Sequence, residues 1–435
     1  MRSLSNGSPF TYRPPVVRWV DYARRSWQRL GYLTIVTALA DSSTGTTLEG
    51  LTSRFEAVVT RLHEIPDSTR GQVIDYIRSH RPNRYPRSNG TIARVELQDL
   101  YLADPRLPSH SGAITGDMEA AGYRHAVYVE IPAWAMRLRL LRRENYTITD
   151  RGKALLRLRS GGLRYLHEYD PVSNPFLLTV GERYFFLYCV LDADGDLIQR
   201  VFSSLLTREA PFTRSDVGEI AADSLVRLSD ERLRRVLSGQ TRTIASRMTA
   251  TVESVRNRSG AGMGPRESVA TPRTEPLVDC GLLCRADPTA YSYRVTDEGR
   301  EFATEMVQSR SIDEFLEARL AACTAKLANL DLPAGTNEVF PYIARSYALL
   351  RSGLGYCSIR EVALLAVSMA LDRQSRLFEL CEAERAIAEA ARRYGREVRF
   401  TKSRQGDIAL VRIAPRVLAE LTDEYGTQCD VSKNS

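Results

Sequence analysis

The chain runs to 435 residues, 43% of them hydrophobic and 26% charged, with a formal net charge of +7. That length exceeds what one ordinary core organises and predicts three to four domains of a soluble globular protein. A membrane class is excluded on composition: the longest apolar stretches, such as Leu33 to Ala40, fall far below the roughly 18 residues that cross a bilayer. The opening segment, MRSLSNGSPFTYRPP, has no apolar core of a secretory signal, so a cytoplasmic location is expected.

From the N-terminus, residues 16–40 and 49–63 have the apolar spacing of amphipathic helices, with Trp19, Tyr22, Trp27 and Leu30 on one face. A third helix is predicted from Gly71 to Ser79. The breaker-rich basic segment HRPNRYPRSNG (80–90) reads either as a solvated loop or as a contact to a phosphate backbone. Ile92 to Leu102 follows as a helix, interrupted by Pro105 and Pro108. Ser111–Ala121 and Pro132–Leu140 then predict a helix–turn–helix-like pair, with Pro132 suited to a helix start.

Residues 174–206 form the most hydrophobic block and predict two antiparallel helices joined at Asp194-Gly195 and buried as a hub. Asp192, Asp194 and Asp196 have the spacing that opens a calcium loop. The glycine falls at the fourth position and Ser203 replaces the closing glutamate, so a surface turn is expected instead. Phe212–Leu225 and Leu228–Leu237 predict a short helical pair. The stretch RNRSGAGMGPRESVATP (256–272) has linker composition, and no Gly-Lys-Ser/Thr follows its glycines to make a phosphate loop. Further helices are predicted at Ser311–Leu327, Tyr342–Leu350, Ile359–Leu371 and Leu377–Tyr394. EVRFTK and DIALVRI then form a hairpin with Arg404-Gln405-Gly406 at its tip, and a polar tail begins at Cys429.

One pattern occurs twice. RLRLLRRENYTITDRGKALL (137–156) and VDCGLLCRADPTAYSYRVTDEGREF (278–302) place Leu141 on Leu283, Tyr146 on Tyr293, Ile148 on Val295, Thr149-Asp150 on Thr296-Asp297 and Gly152 on Gly299. Each copy reads as strand, loop, strand, capping residue and helix, with a longer loop in the second. This unit resembles the wing of winged-helix domains in MarR- and PadR-like regulators. The fold implied is mainly α with small β-hairpins, as tandem winged helices around a central helical hub. The expected division is an N-terminal helical domain (1–90), a first winged helix (91–172), a central helical domain (173–255), the linker (256–272), a second winged-helix-like unit (273–310) and a C-terminal helical and winged-helix domain (311–435).

The resemblance implies double-stranded DNA as partner, laid against the helix before the wing. Arg137, Arg139, Arg142 and Arg143 form the densest arginine cluster there, and Lys153 and Arg404 complete the expected DNA-binding set. A basic helix end facing an acidic partner domain is the alternative. The corresponding face of the second copy carries Glu275 and Asp279 and is expected to contact protein. All but four of the 60 basic residues are arginine, which suits phosphate through its planar fork, although a GC-rich coding bias produces the same excess.

Catalytic patterns are missing. No acidic residue stands two positions before any lysine, as restriction-type nucleases require, and no Gly-x-Ser-x-Gly or His-Glu-x-x-His occurs. Seven scattered cysteines form neither a disulfide framework nor a zinc set, and Cys280 and Cys284 lack a second pair. The expectation is therefore a non-enzymatic bacterial DNA-binding protein without cofactor or metal. It would serve as the recognition subunit of a defence or DNA-processing system beside an ATPase or nuclease. The alternative is a structural scaffold whose winged helices bind protein.

Overall fold

The computed structural model describes residues 10, 30–41, 47–62, 124–158, 178–236, 270, 273–287, 292–333, 339–351, 353, 355–374, 376–402 and 409–426. Over these residues the chain is mostly helical, with two small antiparallel sheets of three strands each. The expected helices at 71–79, 92–102 and 111–121, the basic loop 80–90, most of the linker 256–272 and the tail from Cys429 lie outside the described residues.

Three successive units follow a related order of elements, the first with no strand ahead of its second helix among the described residues. The first comprises α1 (Leu30–Asp41), α2 (Leu48–Leu62), α3 (Arg124–Arg137), an antiparallel bridge between Leu141 and Ile148, and α4 (Asp150–Leu158). In the second, α5 (Val180–Leu205), β1 (Phe212–Thr213) and α6 (Arg214–Val236) are followed by α7 (Glu275–Asp279), β2 (Leu283–Asp287), β3 (Ser292–Val295) and α8 (Asp297–Gln308). Two short helices, α9 (Ile312–Ala318) and α10 (Leu320–Leu327), lead to the third. That unit runs α11 (Val339–Leu350), β4 (Cys357–Ser358), α12 (Ile359–Asp372), α13 (Leu380–Tyr394), β5 (Val398–Lys402), β6 (Ala409–Ile413) and α14 (Pro415–Gly426).

The likeness extends to register. The sheets have the orders β1-β3-β2 and β4-β6-β5, so each short first strand pairs with the last strand of the hairpin. Phe212 faces Tyr293 and Leu283 faces Val295; Cys357 faces Val411 and Val398 faces Ile413. Leu141 opposite Ile148 is the same pair in the first unit. In each unit the residue after that pair returns its N–H to the residue before it: Thr149 to Leu140 O at 3.0 Å, Thr296 to Leu282 O at 3.1 Å, Ala414 to Glu397 O at 2.9 Å. Thr149 and Thr296 then cap the next helix, their Oγ1 accepting from Gly152 N and Gly299 N at 3.0 and 2.9 Å. β1, in the segment expected to be a separate central domain (173–255), is therefore hydrogen-bonded to the hairpin of residues 283–295.

Three expected elements differ. The block 174–206 is one helix, α5, without a break at Asp194-Gly195. Asp-Gly disfavours a helix interior locally, but here tertiary contacts win. Asp194 is buried against Arg273, and the missing side chain of Gly195 admits Ile312. The start of α5 is fixed by a capping box, Thr179 Oγ1 accepting from Glu182 N and Glu182 Oε2 from Thr179 N. Likewise 212–237 is a two-residue strand and one continuous helix, α6, with no interruption near Ser229. Pro132 lies inside α3, which extends upstream to Arg124, and its ring is buried in the core.

α5 and α12 pack together at the centre, and α4 lies against both. This junction of all three units is ionic. Arg151 of α4 is buried, with Nη1 2.9 Å from Asp192 Oδ2 of α5 and Nε 2.8 Å from Glu361 Oε1 of α12. Its guanidinium also stands 5.3 Å from the Tyr188 ring, and Ser358 Oγ donates to Glu361 Oε2 at 2.6 Å. Arg273 holds Asp194, Arg214 holds Glu275, and Arg360 holds Glu317 and Glu384, each arginine being buried. Four arginines thus work inside the described part of the molecule, and the planar forks of Arg151 and Arg360 each meet two carboxylates at once as an ammonium would not.

Candidate nucleic-acid interface

The predicted basic set is built by the exit from α3. Leu140 N–H reaches back to Ala135 O at 2.8 Å, just as Leu282 N–H reaches Leu277 O at 2.9 Å in the second unit. That exit needs a left-handed residue, supplied by Gly281 (φ 83°) in the second unit and by Arg139 (φ 61°) in the first. A side chain there costs on the order of 1 kcal/mol of backbone strain. Arg139 points partly inward: its Nη1 lies 3.8 Å from the buried Asp192 carboxylate.

Between Leu141 and Ile148 the chain makes a tight loop. Arg142 N–H donates to Thr147 O at 2.8 Å and Tyr146 N–H to Arg142 O at 3.1 Å, while Asn145 Oδ1 accepts from Thr147 Oγ1 at 2.7 Å. Arg142 and Arg143 project from this loop, exposed, and Arg137 is exposed at the last turn of α3. No carboxylate among the described residues pairs with Arg142 or Arg143. Lys153, on α4, is partly exposed and 3.6 Å from Asp150. Burial raises the Asp150 carboxyl above its ordinary value against the opposing pull of Lys153. The hairpin therefore gathers Arg137, Arg142 and Arg143. Arg139 is shared with the interior, Lys153 sits apart on the next helix, and Arg404 lies outside the described residues.

The acidic counterpart in the second unit is not a surface. Glu275 is fully buried, its Oε1 accepting from Arg214 Nη2 at 2.8 Å and from Tyr293 OH at 2.6 Å. Asp279 Oδ2 accepts from the backbone N–H of Leu30 at 2.8 Å, tying the second unit to α1. These side chains, expected to face a partner, bind the chain to itself. Glu275→Ala is accordingly expected to lower the urea midpoint, because it leaves Arg214 buried without its carboxylate, at a cost of about 3–5 kcal/mol. A midpoint equal to that of the parent would contradict the internal assignment.

Sequence reading passed over a second basic group. Arg392, Arg393, Arg396 and Arg399 are exposed where α13 gives way to β5, and Arg412 is exposed across the strand from Arg399. The signal is present as the run RRYGREVRF (392–400), which is split between a helix end, a turn and a strand start and so shows no single period. Among the described residues no cluster of His, Cys, Asp and Glu is placed to hold a metal ion, and no helix is long and apolar enough to cross a membrane. Searches against protein-family models, curated proteins and solved structures find no match to this chain.

Proposed function

We propose that the chain is a non-enzymatic DNA-binding protein of the tandem winged-helix kind, and that it serves as the recognition subunit of a multi-protein defence or DNA-processing system. The observation that carries this reading is the repeated order of helix, strand, helix, helix and hairpin, with the first strand on the hairpin's last strand, in one register. That order is the one winged helices use to set a helix and a β-loop against a duplex. In the first unit the β-loop carries two exposed arginines without carboxylate partners among the described residues, the arrangement phosphate contacts need. The lack of a catalytic motif supports a division of labour in which an ATPase or nuclease partner performs the chemistry.

The reading is tested by salt. Each neutralised phosphate contributes about 0.9 to the slope of log affinity against log salt on duplex DNA. Replacing Arg137, Arg142 and Arg143 by alanine is expected to weaken binding to every duplex and flatten that slope by up to about 3, with unchanged melting. Unchanged affinity at two or more salt concentrations would favour the second reading, a scaffold that binds protein. That reading draws support from how many arginines are committed to contacts inside the molecule.

A further inference from the structure

α13 is amphipathic, burying Leu380, Ala383, Ile387 and Ala390. Arg385, Glu389 and Arg392 recur on the opposite, exposed side of the helix at a spacing of three to four residues, and Arg396 is exposed in the turn that follows Gly395. The cation cluster thickens at the C-terminal end. Arg393 stands 5.1 Å over the Tyr394 ring and 3.8 Å from Glu420, while Arg399 Nε donates to Arg396 O at 3.0 Å. Arg399 and Arg412 are direct cross-strand partners, and Arg412 lies 6.0 Å over the Tyr356 ring.

Local structure explains only part of this. Arg392 and Arg393 complement the helix C-terminus. Arg396, Arg399 and Arg412 lie beyond it, and like charges directly opposite one another destabilise a strand pair. No carboxylate among the described residues pairs with Arg392, Arg396, Arg399 or Arg412. The N-terminal end of α13 is unavailable to a ligand. Leu380 and Cys381 are buried, and the Glu379 carboxylate accepts from Ala321 N at 3.0 Å and Ala322 N at 2.9 Å.

We propose that the exposed side of α13 and the start of its hairpin form a second duplex-DNA contact, one that grips the phosphate backbone without reading bases. Arg385 and Arg392 are separated by about 10 Å along α13, and Arg396, Arg399 and Arg412 carry the row on past Gly395 and into the hairpin. Cations along that row reach phosphates on both sides of a major groove roughly 12 Å wide. With the helix N-terminus closed by Glu379, the residues that usually meet base edges are withdrawn, and the contact is sequence-independent. This inference rests on the DNA-binding reading above but concerns a different unit.

The experiment uses the full chain and duplexes of two unrelated sequences, with binding followed by fluorescence anisotropy from 50 to 200 mM salt. Arg392→Gln/Arg396→Gln/Arg399→Gln is expected to melt like the parent and to flatten the slope by about 2.7, equally on both sequences. Between those salt concentrations the parent would then lose about 40-fold more affinity than the variant. The triple lysine variant should keep most of the parent's slope. An unchanged slope in the glutamine variant, with a flattened one in the Arg137/Arg142/Arg143 variant, overturns this inference and leaves the DNA-binding reading standing. Loss confined to one sequence overturns its sequence-independence. Tighter binding of duplex RNA than duplex DNA overturns the choice of ligand, and no binding of any duplex by the parent overturns both proposals.

Discussion

Arg151→Leu is expected to destabilise the chain by about 3–5 kcal/mol and to enlarge its gain in stability toward mild acid. Arg151 bridges Asp192 of the second unit and Glu361 of the third, at 2.9 and 2.8 Å, and Arg139 stands farther off, at 3.8 Å from Asp192. Burial alone would push the Glu361 carboxyl up. Arg151, together with the hydroxyl of Ser358, outweighs that and holds it below its ordinary value. In the parent, Glu361 therefore binds its proton less readily folded than unfolded. Its contribution is complete above the ordinary carboxylate range of about 4.3 and is lost as pH falls through its depressed value.

Removing the guanidinium changes the sign. Asp192 and Glu361 would then be buried without the cation they share, Arg139 and the Ser358 hydroxyl compensating only in part, and burial would raise their folded affinity for protons above the unfolded one. The variant should gain more stability than the parent as pH is lowered from 7 toward 5, where the parent already rises because burial pushes the Glu379 carboxyl up to about 7. Urea unfolding at pH 7, 6 and 5 separates the cases: midpoints moving in parallel for both proteins would refute the assignment. Adding Asp192→Asn and Glu361→Gln to Arg151→Leu should recover part of the loss, since a neutral set carries no unpaired charge.

The same residues show how far sequence carries. The Thr-x-x-Gly signature was legible because the backbone demands it twice: a hydroxyl to cap the helix and no side chain beneath the preceding carbonyl. The third unit was legible as a winged-helix candidate from its helices and hairpin, although the residue pattern shared by the first two copies does not extend to it. There Ala414 holds the capping position, Pro415 opens the helix by its fixed backbone angle, and Val417 replaces the glycine. One backbone course is thus reached by two chemistries, and a residue match finds only one. The strands Phe212–Thr213 and Cys357–Ser358 are too short for any alternation to appear.

Charge was the least legible property. Asp192 and Asp194 read as a solvated turn because aspartate beside glycine usually is one, and Glu275 and Asp279 read as an acidic surface. Each finds its partner far along the chain: Asp194 with Arg273, Glu275 with Arg214, and Asp279 with the N–H of Leu30. Nothing local distinguishes these arginines from the exposed ones at 142, 143 and 392. Exposure is set by which helices meet, and periodicity within one segment does not encode that.

Gly152→Val and Gly299→Val should each lower stability by about 1–3 kcal/mol, yet differ in their pH signature. A side chain at Gly299 would strike the Leu282 carbonyl and come within 2.7 Å of Thr296 Oγ1, so α8 must lift from its hairpin. At Gly152 the obstruction is the Leu140 carbonyl together with Ile148 Cγ1 at 2.7 Å and Thr37 Cγ2 at 3.2 Å. Backbone atoms cannot yield as a flexible side-chain end would, so even alanine should register. Because Arg151 precedes Gly152, lifting α4 also draws the guanidinium away from Asp192 and Glu361. Gly152→Val should therefore share the added acid stabilisation of Arg151→Leu, while Gly299→Val keeps the parent's profile from pH 7 to 5. Unchanged urea midpoints in both variants would dismiss the shared geometry of the two units. Identical pH profiles would separate the cap of α4 from the ionic junction it is argued to position.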